Sequence, residues 1–189
     1  MVANFRPAKD HSTLLRAWKR IVVEWTKCRP KPRLLLAGVP QQSYDSVRHI
    51  AVELKLQDSV SFLGQVNDVS GLLAASDVGV LATNHEGLPN VVIEYMASRL
   101  PVVATDLPGC REALGDDPQQ RFARLGDEES LAGSLRNLLD DPGLRRKLGE
   151  RNQRRAAQEF SVQRMCAKTT SIIVGLLDRR YREAVMGHD

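Results

Sequence analysis

Glu86 and Glu94, with seven residues between them, carry the strongest chemical signal in the sequence. They lie in the stretch 82–97, Ala-Thr-Asn-His-Glu-Gly-Leu-Pro-Asn-Val-Val-Ile-Glu-Tyr-Met-Ala. On one unbroken helix, residues eight apart stand roughly 80° apart around the axis. Pro89 breaks that geometry. Its missing N–H suits the first position of a helix, so Glu86 falls on the preceding loop and Glu94 in the second helical turn. Free N–H groups and the positive dipole end at such a helix start make an anion site. Gly87, lacking a side chain, lets the backbone come close to whatever binds there. Two carboxylates bordering an anion site suit an anionic ligand that carries hydroxyl groups on either side.

The same residues carry a family resemblance. The context Glu-Gly-Leu-Pro-Asn-Val-Val-Ile-Glu-Tyr-Met-Ala resembles the paired-glutamate motif of the retaining glycosyltransferases of family 4. The likeness extends through Phe62-Leu63-Gly64, Ala74-Ala75-Ser76-Asp77-Val78 and Pro101-Val102-Val103-Ala104-Thr105. It implies one half of a two-domain GT-B fold, the C-terminal half that binds a nucleotide-sugar donor, UDP- or GDP-linked. By resemblance, Glu94 accepts hydrogen bonds from ribose hydroxyls, and Glu86 faces the donor sugar near its reacting carbon. The backbone of Gly87, Leu88 and Asn90 is then offered to the diphosphate and sugar, with Pro89 between them. Lys9 holds the diphosphate, and the turn at Gly64 and Val66 frames the nucleobase. Catalysis would rest on Glu86 and Lys9, with no metal required and no cofactor beyond the donor substrate.

Two positions depart from the pattern. Asn4 stands where the family has a phosphate-binding arginine, a loss that Arg6 is placed to offset. Arg99 stands where a glycine normally ends the helix in the left-handed conformation, which costs a non-glycine residue about 1 kcal/mol. The other polar residues near these bends read more plainly. His11 reads as a surface histidine and Asp68 as a helix cap. Glu112 either starts a helix or borders the site.

Positioning these residues requires strands that alternate with helices. The apolar runs at 2–5, 34–37, 60–63, 78–82 and 101–104, with a short edge strand from Arg121, predict about six parallel strands. Helical periodicity spans 14–25, 44–56, 69–75, 128–139 and 142–159. Asp10 or Ser12 caps the first of these helices, Asp127 caps the helix from 128, Pro108-Gly109 opens a short one, and Ser161 caps a last one. This predicts a single α/β domain over 1–189, Rossmann-like, with a parallel sheet covered by helices on both faces and a helical extension over about 161–189. Ligands in such sheets bind beyond the carboxyl ends of the strands, where every bend named above falls.

Composition sets the remaining bounds. With 42% apolar and 26% charged residues, the 189-residue chain can bury a sizeable core. Cys28, Cys110 and Cys166 are odd in number and widely spaced, against a disulfide framework or zinc site and in keeping with a reducing, cytoplasmic compartment. The net charge of +4 and the basic run Arg145, Arg146, Lys147, Arg151, Arg154 and Arg155 read as a solvated helix face. Contact with the inner face of a membrane is the alternative. Nucleic acid is not an expected partner, because no aromatic residues interleave with the charge. A dinucleotide oxidoreductase would show Gly-x-Gly-x-x-Gly after the first strand, where Asn4 to Lys9 stand instead. A nucleotide-sugar epimerase needs an acid/base pair that is not found. On the family resemblance the acceptor-binding N-terminal domain is missing, so the expectation is weak donor binding with little transfer. A non-catalytic binding or assembly module descended from a transferase is the other open reading.

Overall fold

The computed structural model describes residues 1–25 and 30–186, with side chains as far as Asp178. The expectations for Cys28 lie outside the described residues. The strands are β1 (Leu34–Ala37), β2 (Val60–Gly64), β3 (Gly79–Leu81), β4 (Val102–Thr105) and β5 (Arg121–Ala123). The helices are α1 (His11–Glu24), α2 (Tyr44–Glu53), α3 (Val69–Ala74), α4 (Asn90–Ala97), α5 (Pro108–Leu114), α6 (Glu128–Asp140), α7 (Pro142–Glu159) and α8 (Val162–Met186). Every strand pairing is parallel, β1 with β2 and, separately, β3 with β4 and β4 with β5. The α/β architecture is therefore as expected, with helices flanking parallel strands.

The predicted first strand, 2–5, forms only one bridge, Val2 to Ala37. Its outer side is ladder-like, since Ala3 N–H donates to Ala37 O at 2.8 Å and Phe5 N–H to Val39 O at 3.2 Å. On the inner side Val2 N–H turns to the Tyr95 hydroxyl at 2.6 Å, which in turn reaches Val80 O at 3.4 Å. A buried phenol on α4 thus stands where strand-to-strand bonds were expected. Burial raises its pKa and keeps its proton on, so it can both accept and donate. Gly79 makes room for that ring, because a Cβ there would lie 2.6 Å from Tyr95 Cδ2.

Local signals explain most helix starts. Asp10, Asp68, Asp127 and Asp141 each accept from the backbone N–H three residues on, capping α1, α3, α6 and α7. α8 begins after Ser161, whose hydroxyl accepts from Arg164 N–H at 3.3 Å, and runs to Met186. Ile172, Ile173, Leu176 and Leu177 on α8 are more than half exposed. Among the described residues no helix is long and apolar enough to cross a membrane.

His11 corrects its expected place on the surface. The ring is 1% exposed and stacks on Phe5 at 4.5 Å, within a cluster that includes Tyr44 and Phe62. Its Nδ1 lies 3.0 Å from Lys9 O, a carbonyl that can only accept, so Nδ1 carries the proton. The apolar spacing of α1 places His11 one turn before Leu14 and Leu15, on the face that meets the core. Burial holds its pKa down at about 4, against the partial opposition of that hydrogen bond.

α7 grips the ends of two other helices. Arg99 is left-handed, with φ 62°, as its place in the sequence predicts. Its carbonyl meets α7 at Gly149, where a Cβ would lie 2.2 Å away. Asn152, fully buried, donates from Nδ2 to Leu100 O at 2.9 Å and accepts from Gln120 Nε2 at 2.7 Å. Arg155 donates from Nε to Ala113 O and from Nη2 to Glu112 O, both at 2.8 Å, closing the C-terminus of α5.

Two predictions follow from this packing. Asn152→Leu leaves the Leu100 carbonyl and the Gln120 amide without their partner, so urea denaturation should show a loss of about 2–3 kcal/mol. For His11, whose folded pKa lies below the unfolded value of 6.5, stability is present above pH 6.5 and is lost as pH falls toward 4. Across that window the unfolded chain binds a proton that the folded protein refuses, which amounts to about 3 kcal/mol. Urea midpoints measured from pH 7 to 4.5 should fall more steeply for the native chain than for His11→Gln.

Candidate functional site

All the strands are parallel, so the loops that follow them gather at one edge. The loop 6–10 is joined to the loop after β3 by two backbone hydrogen bonds and one from a side chain. Asp10 N–H donates to Ala82 O at 3.1 Å and Asn84 N–H to Ala8 O at 2.8 Å. The Thr83 hydroxyl lies 2.9 Å from Ala8 O and 3.1 Å from His85 O, sharing its one proton between them. Thr105, at the end of β4, supports this junction by accepting from Thr83 N–H at 3.0 Å. Neither threonine was singled out by sequence reasoning. The available signal was a polar residue following an apolar run at two adjacent strand ends.

That stitching brings the Lys9 ammonium into contact with the Glu86 carboxylate as an ion pair, both side chains mostly buried. Burial pushes Lys9 below its ordinary pKa, and the like charge of Arg6 works in the same direction. Beneath them lies Cys110, fully buried in α5, whose thiol burial pushes up to about 11. The thiol is therefore neutral and inert at pH 7.

Beside the ion pair, α4 begins one residue later than predicted. Pro89 is the N-cap, with extended backbone at φ −78° and ψ 106°, and Asn90 is the first helical residue. The Pro89 carbonyl already accepts from Val92 N–H at 3.0 Å, which is what an N-cap does. Proline has no side-chain oxygen to cap with, so the start of α4 has no side-chain cap, unlike α1, α3, α6 and α7. Its first N–H groups and positive dipole end are left for an anion. A Cβ on Gly87 would have nothing within 4 Å, so this side of the loop is open. Leu88 is 42% exposed next to it. Glu94 is exposed on the second turn of α4.

The remaining candidates are placed less centrally. Asn4 uses its Oδ1 to accept from Val39 N–H at 3.0 Å, tying the first loop to the turn after β1. Arg6 is exposed and donates from Nε to Gln41 Oε1 at 2.7 Å. Gly64 is left-handed, with φ 65°, open space on its Cβ side and its carbonyl accepting from Gly38 N–H at 2.8 Å. Val66 is half-buried just beyond it. Asp68 is a cap, as expected, and Glu112 is exposed on α5 with its carbonyl held by Arg155. Among the described residues no group of three or more His, Cys, Asp or Glu could hold a metal ion.

The basic run on α7 is not a simple solvated face. Arg145 donates to Leu138 O and Leu139 O, Arg155 closes α5, and Arg151 pairs with Asp117. Arg146, Lys147 and Arg154 are the exposed remainder.

The chain is similar to known proteins in sequence and in structure. The chain is 27% identical over 176 residues to the N-acetyl-alpha-D-glucosaminyl L-malate synthase of Bacillus anthracis, covering 93% of this chain and 45% of that protein. It is 32% identical over 169 residues to the MMP alpha-(1->4)-mannosyltransferase of Mycolicibacterium hassiacum, covering 88% and 40%. In structure it resembles HepE of Anabaena, solved in complex with UDP, with a TM-score of 0.82 at 22% identity over 92% of this chain and 47% of that one. It also resembles the sucrose-phosphate synthase of Thermosynechococcus elongatus, with a TM-score of 0.83 at 25% identity, covering 94% and 45%. The chain thus spans less than half the length of these relatives. The family model for glycosyl transferases group 1 matches residues 1–155, and the chain belongs to that family.

Proposed function

We propose that the chain is the donor-binding, C-terminal half of a retaining glycosyltransferase of family 4, which takes a sugar from UDP or GDP to a glycan or lipid-linked acceptor. The observation that carries this reading is the start of α4, uncapped by any side chain, standing beside the Lys9–Glu86 pair. The diphosphate lies against the N–H groups of α4 and the Lys9 ammonium, with Arg6 in reach once it leaves Gln41. Glu94 accepts from the ribose hydroxyls, Glu86 from the sugar, and the backbone at Gly64 and Val66 frames the base.

In transfer, the bond from the anomeric carbon to the β-phosphate oxygen breaks, and a bond from that carbon to the acceptor oxygen forms on the same face. The acceptor proton passes to the departing diphosphate. Fixed positive groups aimed at the leaving oxygen stabilise the charge that develops there. No metal is assigned a role, and neither glutamate is assigned as a nucleophile. Acceptor groups come from the other half of the protein, so this chain by itself binds donor and transfers little. Its compartment is the cytoplasm, with Arg146, Lys147 and Arg154 as the available contact to an anionic membrane face.

One observation favours a second reading, a non-catalytic nucleotide-sugar-binding module. Asn4, at the position of the family's phosphate-binding arginine, is committed to Val39 N–H.

Calorimetric titration with UDP, GDP and ADP, with and without Mg²⁺, tests both. The donor reading expects saturable, metal-independent binding of one nucleotide, weakened at least roughly ten-fold in Glu94→Ala through loss of charge-assisted hydrogen bonds. Gly87→Ala should keep its thermal stability within about 0.5 kcal/mol yet bind the matching nucleotide-sugar poorly, because the added Cβ enters the open face of the loop. No binding by the native chain or by Asn4→Arg would sink the donor reading. Binding without turnover after the acceptor half is restored would favour the module.

A further inference from the structure

The Glu86–Gly87 peptide is open in front and blocked behind. Behind it stands α5, and the contact is backbone against backbone. A Cβ built on Gly109 would lie 1.5 Å from the Gly87 carbonyl oxygen and 3.2 Å from that of Glu86. No other residue type fits that approach without moving one of the two segments.

α5 has little freedom to yield. Gly109, Cys110, Ala113 and Leu114 are buried in the core. At its C-terminal end Arg155 donates to Ala113 O and Glu112 O, and Gln120 Nε2 donates to Leu114 O at 3.1 Å. On its outer face Arg111 is held by both carboxylate oxygens of Asp106, at 2.5 and 2.8 Å. A short helix fixed at its far end and on its flank presses its second residue against the loop that carries Glu86.

We propose that Gly109 is a positioning residue for the donor sugar. Through its contact with the Gly87 carbonyl it sets where the Glu86 carboxylate stands relative to Lys9 and the start of α4. Glu94 is carried by α4 itself, whose C-terminal end is separately held at Arg99 and Leu100 by α7. Displacing α5 therefore moves the carboxylate that faces the sugar more than the one that faces the ribose. The role rests on the assignment of Glu86 to the sugar made above.

The test compares Gly109→Ala with Gly133→Ala, a control on α6 where an added Cβ meets nothing within 4 Å. Hydrogen exchange without ligand reads the loop directly. The Asn84 amide of the same loop, bonded to Ala8 O at 2.8 Å in the native chain, should exchange roughly ten-fold faster in Gly109→Ala, while α1 and α6 match the native chain. Calorimetry then uses whichever of UDP or GDP the native chain binds, against UDP-glucose or GDP-mannose. Gly109→Ala should bind the free nucleotide within about two-fold of native, and lose the additional affinity conferred by the sugar. Parallel loss of nucleotide and nucleotide-sugar, or unchanged loop exchange, would overturn the role. If Gly109→Ala does not fold, Arg155→Met loosens the opposite end of α5, and the same selective loss is expected; its absence overturns the proposal. Absence of nucleotide and nucleotide-sugar binding in both the native chain and Asn4→Arg overturns the donor reading and this role together. Native binding with unchanged discrimination in the variant overturns the role of Gly109 alone.

Discussion

The inward polar face of α7 holds the rest of the structure in place. Gly149, Asn152 and Arg155 engage the turn just beyond α4 and the last residues of α5, where helix ends present carbonyl groups with no partner of their own. Arg99 O meets the bare backbone at Gly149, Leu100 O accepts from Asn152, and Glu112 O and Ala113 O accept from Arg155. The acceptors at Leu100 and Ala113 are buried or half-buried, so losing their partners leaves unpaired groups and each bond matters more than its net energy suggests. The opposite ends of the same two helices define the candidate site. A helix is stiff over eight residues, and fixing its C-terminus fixes the direction in which its N-terminus points.

The site itself depends on something withheld. Four helices have their first turns capped by an aspartate, whereas α4, like α2 and α5, has no side-chain cap. The proline at its N-cap satisfies the backbone geometry without supplying an acceptor, which leaves the N–H groups available. Lys9 and Glu86 pair with each other beside that helix start. In the donor reading proposed above, a phosphate would take the Lys9 ammonium and sugar hydroxyls would take the freed Glu86 carboxylate, so that neither charge is left buried without a partner.

Much of this was legible in the sequence because it is written in local chemistry. The paired glutamates around Gly87 and Pro89, the aspartate caps, Pro142 opening α7 and the left-handed Arg99 are each set by a few neighbouring residues. Parallel strands followed from β-branched runs alternating with helical periodicity. Most of the misreadings concern positions whose surroundings are built from distant parts of the chain. His11 looked like a surface residue because its polar type outweighed its spacing to Leu14 and Leu15, and because the Phe5 ring that stacks on it joins Tyr44 and Phe62 from distant parts of the chain. The stretch 2–5 looked like an ordinary strand because no local feature reveals that Tyr95, 93 residues on from Val2, takes the Val2 N–H. The basic run looked solvated because the carbonyls that Arg145 and Arg155 cap belong to other helices.

The sequence by itself determined which residues could bind an anion flanked by hydroxyls, on what kind of element each would sit, and that parallel strands would bring their loops to one edge. Local propensity and short-range hydrogen bonds suffice for that. Only the tertiary structure decided that Lys9 would reach Glu86, that Asn4 would be spent on Val39 and Arg6 turned to Gln41, and that Gly109 would bear on the Gly87 carbonyl. Those outcomes depend on how closely separate segments approach, within a few tenths of an ångström. Close packing of the whole core sets that distance, and no stretch of sequence records it.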